Sequence, residues 1–94
     1  MDRIEARRVL GDRLRPYRGR EHTELAPLVG SRHQEKLERD GPSGIPYRVV
    51  VEFFWDDRRG GTIRVVGSID DGAVRAFAPV TDGFLVAGPA APGA

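Results

Sequence analysis

Two adjacent carboxylate pairs, Asp56-Asp57 and Asp70-Asp71, are the first residues here whose chemistry could amount to a site, because hard divalent cations take clustered oxygen ligands. Their spacing speaks against it. One pair borders the turn after a strand and the other borders the next turn, so a strand of about six residues, or roughly 20 Å, separates them. Aspartate is also a residue that turns favour in its own right. His22 and His33 are the only imidazoles, and neither falls in a ligand or nucleophile motif. Ser31, Ser43 and Ser68 combine on paper with a histidine and an aspartate, but no G-x-S-x-G elbow frames any of them. Arg58-Arg59-Gly60-Gly61 could offer guanidinium and backbone donors to a phosphate, yet it lacks the following helix and the spacing of a phosphate-binding loop. The chain therefore reads as a non-enzyme with no catalytic, metal or cofactor site.

Charge is the next candidate. The net charge is only +1, but residues 1–20 hold seven arginines against three acids (+4), and the remainder holds eight basic residues against eleven acids (−3). An arginine-rich arm, Arg3, Arg7, Arg8, Arg13, Arg15, Arg18 and Arg20, could contact phosphates and would then bind nucleic acid with a strong salt dependence. Interspersed Asp2, Glu5 and Asp12 fit solvated ion pairs on a helix equally well.

The elements that must carry these groups follow from composition and pattern. Ninety-four residues, 39% hydrophobic and 31% charged, make one small domain with one core. The absence of cysteine excludes disulfides and thiolate metal sites and suits a reducing compartment. The opening MDRIEARRVL is too charged for a signal peptide, and no apolar run reaches membrane-spanning length, so a cytoplasmic protein is expected.

Asp2 and Glu5 resemble a capping box, and Ala6, Leu10, Leu14 and Tyr17 recur at helical spacing. This first helix is expected to stop near Leu14 or Arg15, because Pro16 restricts its predecessor and lacks an N–H. A second, short helix is expected over Glu21–Val29, with Thr23 as N-cap, Pro27 limiting it and Gly30 ending it. Residues 32–40 suit both helix and strand by composition; the GPSG turn at 41–44 favours the charged edge strand of a hairpin. YRVVVEFFWDD then alternates cleanly, with Tyr47, Val49, Val51, Phe53 and Trp55 on one face. A loop over 57–61 pairs Trp55 with Ile63, Phe53 with Val65, Val51 with Gly67 and Val49 with Ile69, which gathers the large apolar residues beneath the helices. Asp71-Gly72 predicts a two-residue type I′ turn into a last strand AVRAFAPV, with Ile69 opposite Val74 and Val65 opposite Ala78. The segment TDGFLVA is expected to return over an end of the core, and residues 88–94 to be a disordered tail. The fold expected is α+β: two N-terminal helices packed on one face of a four-stranded antiparallel β-meander, a single domain over residues 1–87.

The run WDDRRGGTIRVVGSIDDGAVRAFAPVTDGF resembles the central signature of a family of small uncharacterised bacterial proteins, with helices before the sheet and a hairpin through GSIDDG. The resemblance spans roughly residues 20–87 and implies the order helix, helix, four-stranded meander, with 32–40 as a strand. It implies no activity and brings no catalytic residues. The chain has Ala73-Val74 where that signature has glycine and tryptophan, and ends in GPAAPGA where the family's ending is more ordered.

The other face of the meander mixes charge with apolar bulk. Arg48 falls opposite Asp70, Glu52 diagonal to Arg64 and Ser68 opposite Arg75, with Val50, Phe54, Val66 and Phe77 between them. Exposed cross-strand ion pairs contribute below about 1 kcal/mol each and do not require phenylalanines beside them. Aromatics mixed with arginine are characteristic of protein interfaces. The expectation is an accessory or regulatory binding module that docks another protein, or a second copy, through Arg48, Glu52, Phe54, Arg64, Val66, Arg75 and Phe77. Cover of this face by the tail or by 81–87, and nucleic-acid binding through the arginine arm, are the alternatives.

Overall fold

Leucines spaced four apart carry the first element. In the computed structural model, which describes residues 3–37, 44, 46–71 and 79–88, helix α1 runs Arg3–Arg18, and its Ala6, Leu10 and Leu14 are fully buried. The expected stop before Pro16 is overturned: the proline lies inside the helix. The carbonyl it leaves without a helix partner belongs to exposed Asp12, where water can serve it, and Tyr17 holds the last turn through an edge-on contact with Phe53 at 5.3 Å.

The second helical segment is shorter than expected. Helix α2 covers His22–Leu25, and a 3₁₀ turn follows over Ala26–Leu28, where Pro27 fits the first positions. Glu21, not Thr23, is the N-cap; its backbone N–H donates to Glu24 Oε1 at 3.4 Å. Gly30 then takes φ +88°, a conformation that favours glycine, and its N–H donates to the Phe53 carbonyl at 3.0 Å.

Four antiparallel strands follow in chain order: β1 (Arg32–Leu37), β2 (Tyr47–Trp55), β3 (Ile63–Asp70) and β4 (Val80–Val86), forming one sheet with β1 and β4 at its edges. Residues 32–37 are thus an edge strand, and Arg32 to Lys36 are exposed along it. The β2–β3 register is the one expected, with Trp55 opposite Ile63, Phe53 opposite Val65, Val51 opposite Gly67 and Val49 opposite Ile69. Phe53, Ile63, Val65 and Ile69 are wholly inaccessible, and Tyr47, Val49 and Val51 nearly so.

The last strand lies elsewhere than expected. Ile69 pairs with Val80 and Val65 with Phe84, so the partners assigned to Val74 and Ala78 are taken; β3 ends at Asp70 and β4 begins at Val80. Val74 and Ala78 themselves lie outside the described residues, as does the Asp2 capping position. The segment expected to cap the core is therefore β4. Its register sets Val80, Phe84 and Val86 on the core face, where the alternative would have offered two alanines.

Gly67 lies against the leucines of α1. A Cβ there would lie 2.8 Å from Leu10 Cδ1 and 3.0 Å from Leu14 Cδ2, so the bare strand admits both leucines. Arg18 adds a peripheral tie, with its guanidinium 3.3 Å from Asp82 Oδ2 and 4.7 Å over the Phe84 ring. No helix among the described residues is long and apolar enough to cross a membrane.

Candidate interaction face

The acidic pairs separate to opposite ends of β3, as their spacing requires. Asp57 organises the 56–62 loop: its Oδ1 accepts the Arg58 N–H at 2.7 Å and the Thr62 N–H at 3.1 Å. These donors, the Arg58 amide foremost, hold the Asp57 carboxyl below its ordinary value. Asp56 accepts from Arg64 through Nε at 2.8 Å and Nη2 at 2.5 Å. Among the described residues no group of three His, Asp or Glu could hold a metal ion.

The histidines serve structure. His22 Nε2 sits 2.6 Å from the Gly61 carbonyl, and its ring tilts over Trp55 with centroids 5.9 Å apart. His33 stands edge-on to Phe53 at 5.7 Å and places Nε2 3.2 Å from Ser31 Oγ. The Ser31 hydroxyl already donates to the Leu28 carbonyl, so His33 must be the donor in that pair. That polarity is the reverse of a base activating a nucleophile. The only sequence signal for this pair was its i, i+2 spacing at a strand start.

The arginine arm does not form a free cationic stripe. Arg13 pairs with Glu35 at 3.2 Å, Arg15 with Asp12 at 2.8 Å, Arg18 with Asp82, and Arg20 with Glu24 at 3.2 Å. Arg3, Arg7 and Arg8 remain exposed on α1. A groove of about 310 Å³ lies under the Arg13–Glu35 pair, floored by Val49 and Val51, but its two charges face each other.

The even-numbered residues of β2 and β3 share the face away from the core with the odd-numbered residues of β4. Register sets Arg48 beside Asp70, Val50 beside Ser68 and Thr81, Glu52 beside Val66 and Gly83, and Phe54 beside Arg64 and Leu85. Phe54 is 45% exposed and Leu85 57%. Between them Arg64 is held by its two bonds to Asp56 Oδ1. A hollow of about 430 Å³ opens beside this row, lined by Arg64, Val66, Thr81, Gly83 and Leu85. Gly83 lines it, and a Cβ there would stand 2.5 Å from the Val65 carbonyl oxygen.

Of the residues expected on this face, Arg48, Glu52, Phe54, Arg64 and Val66 are brought together. Arg75 and Phe77 lie outside the described residues, and the place opposite Ser68 assigned to Arg75 belongs to Thr81. Residues 81–86 extend the face as a strand and do not lie across it. Leu85 was missed, although a second exposed apolar group next to Arg64 follows at once from the β4 register.

No family model matches the chain, and no curated protein or solved structure matches it.

Proposed function

We propose that the chain is a protein-docking module, accessory or regulatory in role, that binds through the outer face of its sheet. In this reading α1 and α2 form the layer over the inner face, and the outer face, though buried at Val50, is open to a partner at Phe54, Arg64 and Leu85. The observation that carries it is the row Phe54, Arg64, Leu85: two exposed apolar groups flanking a guanidinium fixed by Asp56. Aromatic and arginine anchors of this kind dominate binding energy at interfaces.

Size points to the mode of binding. Four strands about 4.8 Å apart and about seven residues long give a face of roughly 19 by 23 Å, so a complex buries ~880 Å² counted over both partners. Stable interfaces bury about 1,200–2,000 Å². The face alone suits a transient partner better than a permanent dimer. The cysteine-free composition fits action in a reducing compartment such as the cytoplasm.

Photo-crosslinking in cells tests the reading. A photoreactive residue at position 54 should give one dominant adduct that disappears with Leu85→Ala, whereas the same residue at position 7 on α1 should give none. A ladder of weak adducts from both positions, indifferent to Leu85, would remove the outer face as a docking surface. An adduct of twice the chain mass would identify a second copy as the partner.

A further inference from the structure

Accepting that the outer face docks protein, we infer that its partner is an acidic segment carrying one apolar anchor, recognised jointly by Arg58 and Arg59 of the 56–62 loop and by Phe54 and Leu85. Arg13, Arg15, Arg18, Arg20 and Arg64 each sit on a carboxylate. Arg58 and Arg59 are exposed, and among the described residues neither enters an ion pair. The two aspartates beside them are otherwise engaged, Asp56 by Arg64 and Asp57 by the amides of Arg58 and Thr62.

The loop that presents these guanidiniums is tied by hydrogen bonds along its backbone. Asp56 N–H donates to the Thr62 carbonyl at 2.7 Å, Gly61 N–H to the Arg58 carbonyl at 2.9 Å, and His22 pins the Gly61 carbonyl from α2. Gly88, just beyond β4, closes against Gly61, where a Cβ on Gly88 would stand 2.8 Å from the Gly61 carbonyl carbon. Charged groups on a pre-ordered backbone lose less freedom on binding, so they confer more selectivity than arginines on a mobile tail.

The apolar half of the site adjoins the charged half. Phe54 is one residue from the end of β2, Arg64 one from the start of β3, and Leu85 lies opposite Arg64, so the row occupies the sheet end from which the loop departs. An aliphatic or aromatic side chain would seat between Phe54 and Leu85 toward the hollow at Gly83, with flanking carboxylates reaching Arg58 and Arg59. A single-stranded nucleic acid fits less well, because two neighbouring guanidiniums and one apolar seat do not make the cationic groove with several stacking platforms that a run of phosphates and bases follows.

Selection from a random peptide display library on the intact chain tests this, with Phe54→Ala and Arg58→Ala/Arg59→Ala as counter-targets and circular dichroism confirming that both variants fold. The expected consensus couples Asp or Glu residues to one leucine or aromatic. A synthetic peptide of that consensus should bind about tenfold more weakly to either variant, and more weakly as salt rises. A neutral or basic consensus that needs Phe54 but ignores Arg58 and Arg59 would overturn the acidic partner and leave the docking face standing. Failure to select any Phe54-dependent sequence would overturn both. Salt-sensitive binding of a single-stranded oligothymidine, lost with Arg58→Ala/Arg59→Ala, would assign the site to nucleic acid instead.

Discussion

Gly67→Ala probes the seat of α1 on the sheet, and its sign can be worked out. Replacing a strand glycine by alanine ordinarily stabilises by about 0.5–1 kcal/mol, because the unfolded chain loses freedom. Here the new methyl would stand 2.8 Å from Leu10 Cδ1 and 3.0 and 3.2 Å from the two Leu14 methyl groups. Both leucines are fully buried and have little room to turn aside. Overpacking of this kind costs about 1–3 kcal/mol, which leaves a net destabilisation of about 0–2.5 kcal/mol. In a domain of this length each kcal/mol lowers Tm by about 4–8 °C. Urea unfolding followed by far-UV circular dichroism reads the difference directly. The double variant Gly67→Ala/Leu14→Ala sharpens it: the small residue at 14 should receive the added methyl, giving a coupling of about 0.5–2 kcal/mol. If Gly67→Ala is stabilising, or if the two changes simply add, the two leucines do not rest on Gly67.

Adjacent phenylalanines should behave oppositely: Phe53→Ala should lose about 3–5 kcal/mol of stability and Phe54→Ala under about 1 kcal/mol, by the same unfolding assay. Equal losses would mean that the two faces have been misassigned. The Asp57 carboxyl is held below its ordinary 3.8, so it contributes stability above that pH that disappears as pH falls through the lower folded value. Asp57→Asn should therefore be less stable than the parent at neutral pH and converge with it in strong acid; a gap independent of pH would refute the hydrogen-bonded carboxylate. Gly60 holds φ +83°, and Gly60→Ala should cost about 1–2 kcal/mol in urea midpoint terms, with no cost if the loop can relax to negative φ. With four of its seven N-terminal arginines in ion pairs, the chain should not shift DNA or RNA in a gel at ~50 mM salt. A strong shift abolished by Arg7→Ala/Arg8→Ala would reinstate the helix as a nucleic-acid surface.

The β2–β3 hairpin was legible because alternation and register constrain each other: a slip by one residue would have turned Phe53 and Val65 away from the core together. The edge strand β1 was legible only in context, since its own composition suits a helix and the turn signal before Tyr47 decided the matter. β4 misled because Asp71-Gly72 is a strong local hairpin signal, and the local signal lost to burial. A strand starting after Gly72 would have set alanines opposite Gly67 and Val65 and a proline inside the ladder. Starting at Val80 brings Phe84 and Val86 onto the core, and Pro79 falls just before the strand, where its missing N–H does no harm. Pro16 misled for a related reason. A proline near a helix end forfeits one exposed carbonyl bond, which the packing of Tyr17 on Phe53 can offset. On the outer face, Phe54 and Arg64 were visible from parity alone, but Leu85 required the true β4 register, and the Asp56–Arg64 clasp is a diagonal contact that alternation does not specify.

Trp55 is the chain's single tryptophan, half-buried at the junction of β2, its following loop and the ring of His22. An intrinsic fluorophore thus stands where a four-residue helix meets the sheet, at the rim of the apolar core. Emission from it should report the peeling away of α2, while far-UV dichroism reports the loss of the strands. The two denaturation curves will superimpose only in a chain that melts as one unit.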